Sequence, residues 1–177
     1  MSESSNKPPR GLLRGNRAWL WLSLLVLVAD QISKWLVVRE IAPLRSIPLL
    51  PHFNLINLHN TGAAFSSFSA APALVFVILA LAVTAGILYW LRENPHGQRL
   101  LAIGFCLILG GALGNALDRL TRGYVVDFID FHIGRWHFAA FNIADSAISV
   151  GVAFLLLDML VDRLRRRRAD PKAEPRR

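Results

Sequence analysis

Four apolar blocks, at 18–38, 70–90, 100–117 and 143–161, leave this chain few folds to choose from. About 20 helical residues cross a hydrocarbon core of about 30 Å, so each block is long enough, the third only just. Backbone groups in lipid must be satisfied within the protein, and blocks of this length do that as helices. Composition points the same way: 54% of residues are hydrophobic, only 18% are charged, and mean hydropathy is +0.41. That is too apolar for an ordinary soluble domain. The expected fold class is therefore a mainly α membrane protein with four transmembrane helices, built as one membrane-embedded domain over 1–177.

The basic residues set the expected orientation. Four spans put both termini on one side. Of the Lys and Arg outside the spans, 14 fall in 1–17, 91–99 and 162–177, against 5 in the other two connecting segments. The positive-inside rule then makes both termini and the 91–99 loop cytoplasmic. Arg163 and Arg165–Arg168 follow the last span directly, where a basic run anchors to anionic lipid, so the net charge of +8 indicates membrane lipids as partners and no nucleic acid. Residues 10–29 imitate a secretory signal, but Leu27-Val28-Ala29 fits a cleavage site poorly, and the first span is expected to be retained. Cys106 lies within the third block and has no second cysteine to pair with, so it is read as a small buried filler.

Segments 39–69 and 118–142 are then extracytoplasmic. Pro43, Pro48 and Pro51 exclude helix from the first, while residues 53–59 alternate loosely enough for a strand. Residues 124–132 and 135–141 flank Ile133-Gly134-Arg135 as a hairpin. Together these pieces predict a small extracytoplasmic β-sheet from 39–69 and 118–141. The ends, 1–17 and 162–177, are expected to be cytoplasmic tails, the second strongly basic, with polar and disordered extremities.

The polar residues within or beside the spans carry the functional argument, because a charge placed there is costly unless paired or used. With a rise of about 1.5 Å per residue, Asp30 lies roughly 18 Å along the first span, in its outer half. Asn115 and Arg119 fall at the outer end of the third span, Asn142 and Asp145 at the outer start of the fourth, and Asp127 between those two spans. Asn60 precedes the second span from outside. Polar groups from every part of the chain thus gather at one depth. Asp127 and Asp145 stand out as two acids joined by a short link. Two close carboxylates share one proton and so supply both a base and an acid, as an aspartic hydrolase requires.

Other readings remain open on spacing alone. Asp130 can replace Asp127, and Asp118 is a weaker rival. Asp30 and Lys34, four apart, can be a plain helix-surface ion pair. Arg119 can merely reach lipid headgroups. Gly110, Gly111 and Gly114 suit close helix packing. His132 and His137 lack metal-ligand spacing, so no metal and no cofactor is expected. An ion carrier would spread its ionisable groups on both sides of the midplane, whereas these crowd at one end. A non-catalytic assembly protein would tolerate loss of either acid.

In order along 18–160, Asp30-Gln31-Ile32-Ser33-Lys34, Asn60-Thr61-Gly62-Ala63-Ala64-Phe65-Ser66, the run from Gly110 to Arg119, Val126-Asp127-Phe128 and Phe141-Asn142-Ile143-Ala144-Asp145-Ser146 together resemble the bacterial lipoprotein signal peptidases, the signal peptidase II family. One departure is Ala140, where the pattern leads one to expect proline. The resemblance implies an inner-membrane aspartyl protease whose site faces the extracytoplasmic side, and the chain is expected to act as a monomer. Its implied substrates are prolipoproteins already carrying diacylglycerol on a cysteine, cut just before that residue. It implies Asp127 and Asp145 as the catalytic pair, with Asp30, Lys34, Asn60, Asn115, Arg119 and Asn142 as binding or supporting residues.

Overall fold

In the computed structural model, which describes residues 15–62 and 72–169, each apolar block becomes one long helix. A 3-10 turn, Gly15–Trp19, leads into α1 (Leu20–Glu40); α2 is Ala73–Glu93, α3 Arg99–Arg122 and α4 Ile143–Ala169. All four are long and apolar enough to cross a membrane. The expected extremities, and residues 63–71 with the end of the Asn60–Ser66 motif, lie outside the described residues.

The helices outrun their expected bounds, for reasons of charge. α3 continues past 117 through Asp118, Arg119 and Arg122, so 118–122 are helical. Asp118 does not break the helix because its carboxylate is buried and paired. The stop comes at Gly123, whose φ of 81° is the left-handed conformation glycine tolerates, with its N–H bonded back to the Arg119 carbonyl. α4 likewise runs beyond 161 into the arginine-rich stretch, since arginine is a good helix former.

α3 is the central helix and packs against the other three. Glycines make the close approach possible. A Cβ on Gly110 would sit 2.7 Å from the Ser23 carbonyl oxygen of α1, and one on Gly114 would sit 2.7 Å from Asp30 Oδ2. Towards one end of the bundle, Ile87, Leu91, Ala102, Cys106 and Leu109 form an apolar core. At that end the Asn16 backbone N–H donates to the Pro95 carbonyl, so the start of α1 lies beside the α2–α3 connection. The opposite end carries a four-stranded antiparallel sheet in the order β1 (Ser46–Leu50), β2 (Phe53–Asn60), β3 (Val125–Ile133) and β4 (Trp136–His137).

The sheet has one strand more than the alternation suggested. Pro48 lies in β1, an edge strand, where the missing N–H costs no ladder bond, and the β1–β2 register shifts between Pro48 and Leu50. Val126 and Phe128 of β3 pack on Val37 and Ile41 at the end of α1, fixing the sheet to the bundle. Asn57, buried, donates its amide to the Ile41 carbonyl and closes the turn from α1 into the sheet.

Candidate active site

Asp127 reaches the site from β3 and Asp145 from the first turn of α4. Both hang on one residue, Asn142. Asn142 caps α4: its Oδ1 accepts from the Asp145 backbone N–H at 2.9 Å, while Asp145 Oδ2 accepts from the Asn142 backbone N–H at 3.2 Å. This reciprocal pair is the capping-box arrangement, with Asp145 three residues into the helix. The Asn142 amide nitrogen donates to Asp127 Oδ1 at 2.7 Å. One asparagine therefore ties the strand acid to the helix acid.

Each carboxylate has a second amide donor. Asn60 Nδ2 donates to Asp127 Oδ2 at 2.8 Å, and Asn115 Nδ2 donates to Asp145 Oδ1 at 2.8 Å. Asn60 is itself held by a turn in which its Oδ1 accepts the Gly62 N–H at 2.9 Å. Arg119 donates from Nη2 to the Gly62 carbonyl at 2.6 Å and stacks over Phe76 with 4.5 Å from its central carbon to the ring centroid. Its Nε is buried and has no hydrogen-bond partner among the described residues. It is therefore not a headgroup-seeking side chain.

Asp127 is buried and Asp145 half-buried. Burial pushes the Asp127 carboxyl up to about 6, helped by the nearby Asp145 charge and opposed by the Asn60 and Asn142 hydrogen bonds and by Lys34. Asp130, the alternative acid on spacing, behaves differently. Burial would raise it, but hydrogen bonds from His137 at 2.8 Å and Asn54 at 2.8 Å outweigh that and hold it below the usual carboxylate range. Asp130 and Asp127 are three apart on β3, so their side chains leave opposite faces of the strand. Only Asp127 turns towards Asp145.

Behind the pair lies a buried ionic cluster. Lys34 Nζ is 2.8 Å from Asp30 Oδ2, 2.9 Å from Asp118 Oδ2 and 2.9 Å from Asn115 Oδ1, so its three protons have three acceptors. All three charged side chains of the cluster are fully buried. Arg122 also pairs with Asp118. Asp30 and Lys34 are thus an interior pair, not a surface one. All eight residues expected at the site fall into one hydrogen-bonded network. Gln31 and Asp118 are the members that sequence reasoning undervalued: the Gln31 amide bridges Asp30, Asp118 and the Gly114 carbonyl. The spacing of Asn115 and Asp118, three apart on one helix, was the available signal.

An acid pair mounted at one end of a four-helix membrane bundle, beneath a small sheet, defines a polytopic membrane protein with a dicarboxylate centre. The family model described as signal peptidase (SPase) II matches residues 22–161, and the chain belongs to that family. A lipoprotein signal peptidase of Alteromonas mediterranea is 46% identical over 144 residues, covering 80% of this chain and 79% of its own length. One from Burkholderia cenocepacia is 44% identical and covers 90% and 96%. Two solved structures of bacterial membrane enzymes share the fold. The first has a TM-score of 0.75 and 27% identity over 90% of this chain and 93% of its own. The second has 0.73 and 29% over 81% and 92%.

Proposed function

We propose that this protein is an intramembrane aspartic endopeptidase that removes the signal peptide from diacylglyceryl-modified prolipoproteins, cutting just before the lipidated cysteine. Membership of the family and relatives bearing the name lipoprotein signal peptidase support the substrate class. The observation that carries the chemistry is Asn142 binding both carboxylates at once. In this reading the protein is a monomer of the bacterial inner membrane. Its termini and the 91–99 loop are cytoplasmic, and the sheet and acid pair lie on the extracytoplasmic side. The distribution of basic residues supports that orientation.

The pair shares one proton. Asp127, buried and raised to about 6, is its natural holder, and water exclusion by a bound peptide favours the protonated form further. Asp145 sits in the first turn of α4, where unpaired N–H groups attract an anion. Asp145 takes a proton from water as the oxygen attacks the scissile carbonyl, and Asp127 gives its proton to the carbonyl oxygen. The gem-diol collapses when Asp145 returns its proton to the leaving cysteine nitrogen, the C–N bond breaks, and Asp127 recovers its proton from the diol hydroxyl. Arg119 Nε supplies a preplaced donor for a substrate carbonyl in a partly dry site. Asn60 and Asn115 keep the two acids in place.

The test uses purified protein in bicelles with a diacylglyceryl-modified prolipoprotein, and compares wild type with Asp127→Asn and with Asp145→Asn. Both variants are expected to fold and lose cleavage. Robust turnover by either one rejects the acid pair.

A further inference from the structure

The buried Asp30–Lys34–Asp118 cluster is larger than a simple ion pair requires, and each of its members ends on a neighbour of the acid pair. Lys34 Nζ holds Asn115 Oδ1 at 2.9 Å. That fixes the amide so that its nitrogen faces Asp145, since the reverse orientation would set an oxygen against a carboxylate and an N–H₂ against an ammonium. Asp118 Oδ2 accepts the backbone N–H of Val126 at 3.3 Å, one residue before Asp127. Asp30 Oδ1 accepts the backbone N–H of Ala144 at 2.9 Å, one residue before Asp145.

We propose that this cluster is a positioning device for the acid pair, with Lys34 as its centre, acting through Asn115, Val126 and Ala144 and not by contact with substrate. The inference rests on the acid-pair reading given above. Three charges pinned in the interior of the bundle set the Asn115 amide and the two backbone segments from which the acids project. Small displacements at the supports are then amplified at the reacting atoms, where a misplacement of about 1 Å can cost about 100-fold. The Lys34 charge also acts on Asp127 through space and favours its ionised form.

The experiment measures kcat, KM and their pH dependence for full-length Lys34→Met and Asp118→Asn on the same lipidated substrate, with thermal unfolding of each. Lys34→Met is expected to lower kcat about 100-fold with KM changed less than about threefold. The basic limb of its pH profile is expected to move upward, because a cation that favours ionised Asp127 has gone. Added to Asn115→Ala, Lys34→Met should cost less than the two separate losses combined, since part of its effect runs through that amide. A kcat that falls only with the folded fraction, on an unmoved pH profile, overturns the proposal. So does full additivity with Asn115→Ala. Should Lys34→Met fail to fold, Asp118→Asn keeps the side-chain shape and an acceptor for Val126, and the same kcat loss or its absence decides. Activity in Asp145→Asn would reject the acid pair itself, whereas an inactive Asp145→Asn beside a normal Lys34→Met rejects only the positioning role.

Discussion

The two ends of the helix bundle are built on opposite principles. At the end where α1 begins, Ile87, Leu91, Ala102, Cys106 and Leu109 interlock as an apolar core, and Ser23 binds the Cys106 carbonyl at 2.7 Å. At the other, the same central helix presents Asn115, Asp118 and Arg119 to a network that includes three fully buried charges. In the first region side chains are interchangeable within the limits of volume, because dispersion and close packing carry no direction. In the second, each group has a specific partner, and losing one strands a charge in a medium that cannot solvate it. The chain spends stability at one end to hold chemistry and recovers it at the other.

The largest expected break in that contrast is Asp127→Asn or Asp145→Asn, each lowering kcat by about 10²–10⁴-fold while the unfolding temperature holds or rises. A change at the end where α1 begins should do the reverse. A Cβ on Gly104 would lie 2.8 Å from the Gly151 carbonyl oxygen, so Gly104→Leu overpacks the α3–α4 contact and costs about 1–3 kcal/mol of stability. Thermal unfolding reads that loss, and the pH profile of the remaining folded enzyme stays where it was.

The pH dependence sharpens the comparison further. Asp127 is raised from 3.8 to about 6, so between those values the folded state binds more protons than the unfolded one. Its contribution to stability is present at low pH and is lost as pH rises through about 6. Asp127→Asn should remove that component from the stability–pH curve. In kinetics, kcat/KM should fall on a basic limb that begins near the same value, and the limb in kcat should lie higher, because bound peptide excludes water. The smallest effect belongs to Asp130→Asn. Its His137 partner is half-exposed, so the loss should be about 0.5 kcal/mol, with cleavage unaffected. Wild type should lose the corresponding stability as pH falls through the lowered Asp130 value.

Much of this was legible in the chain because hydrophobic length and polar placement are local properties. The four spans follow from block length. The gathering of Asp30, Asn60, Asn115, Arg119, Asp127, Asn142 and Asp145 at one depth follows from helix rise and alternating direction. Where the helices end was less legible. α3 passes 117 because a lysine from another helix neutralises Asp118, and no local rule foresees that. The strand containing Pro48 escaped for a similar reason: a proline is acceptable at a sheet edge, and only pairing shows which strand is the edge.

Within the site, sequence alone left Asp127 and Asp130 as rivals and Asp30–Lys34 as a possible surface pair. Tertiary structure separated them. Asp130 faces His137 and Asn54, Asp127 faces Asn142, and Lys34 is enclosed by three acceptors drawn from α1 and α3. The order of residues determined that this chain enters a membrane and which of its polar groups share a level. The fold decided which of those groups touch, because hydrogen bonds and ion pairs act over about 3 Å and depend on how separate helices and strands are brought together.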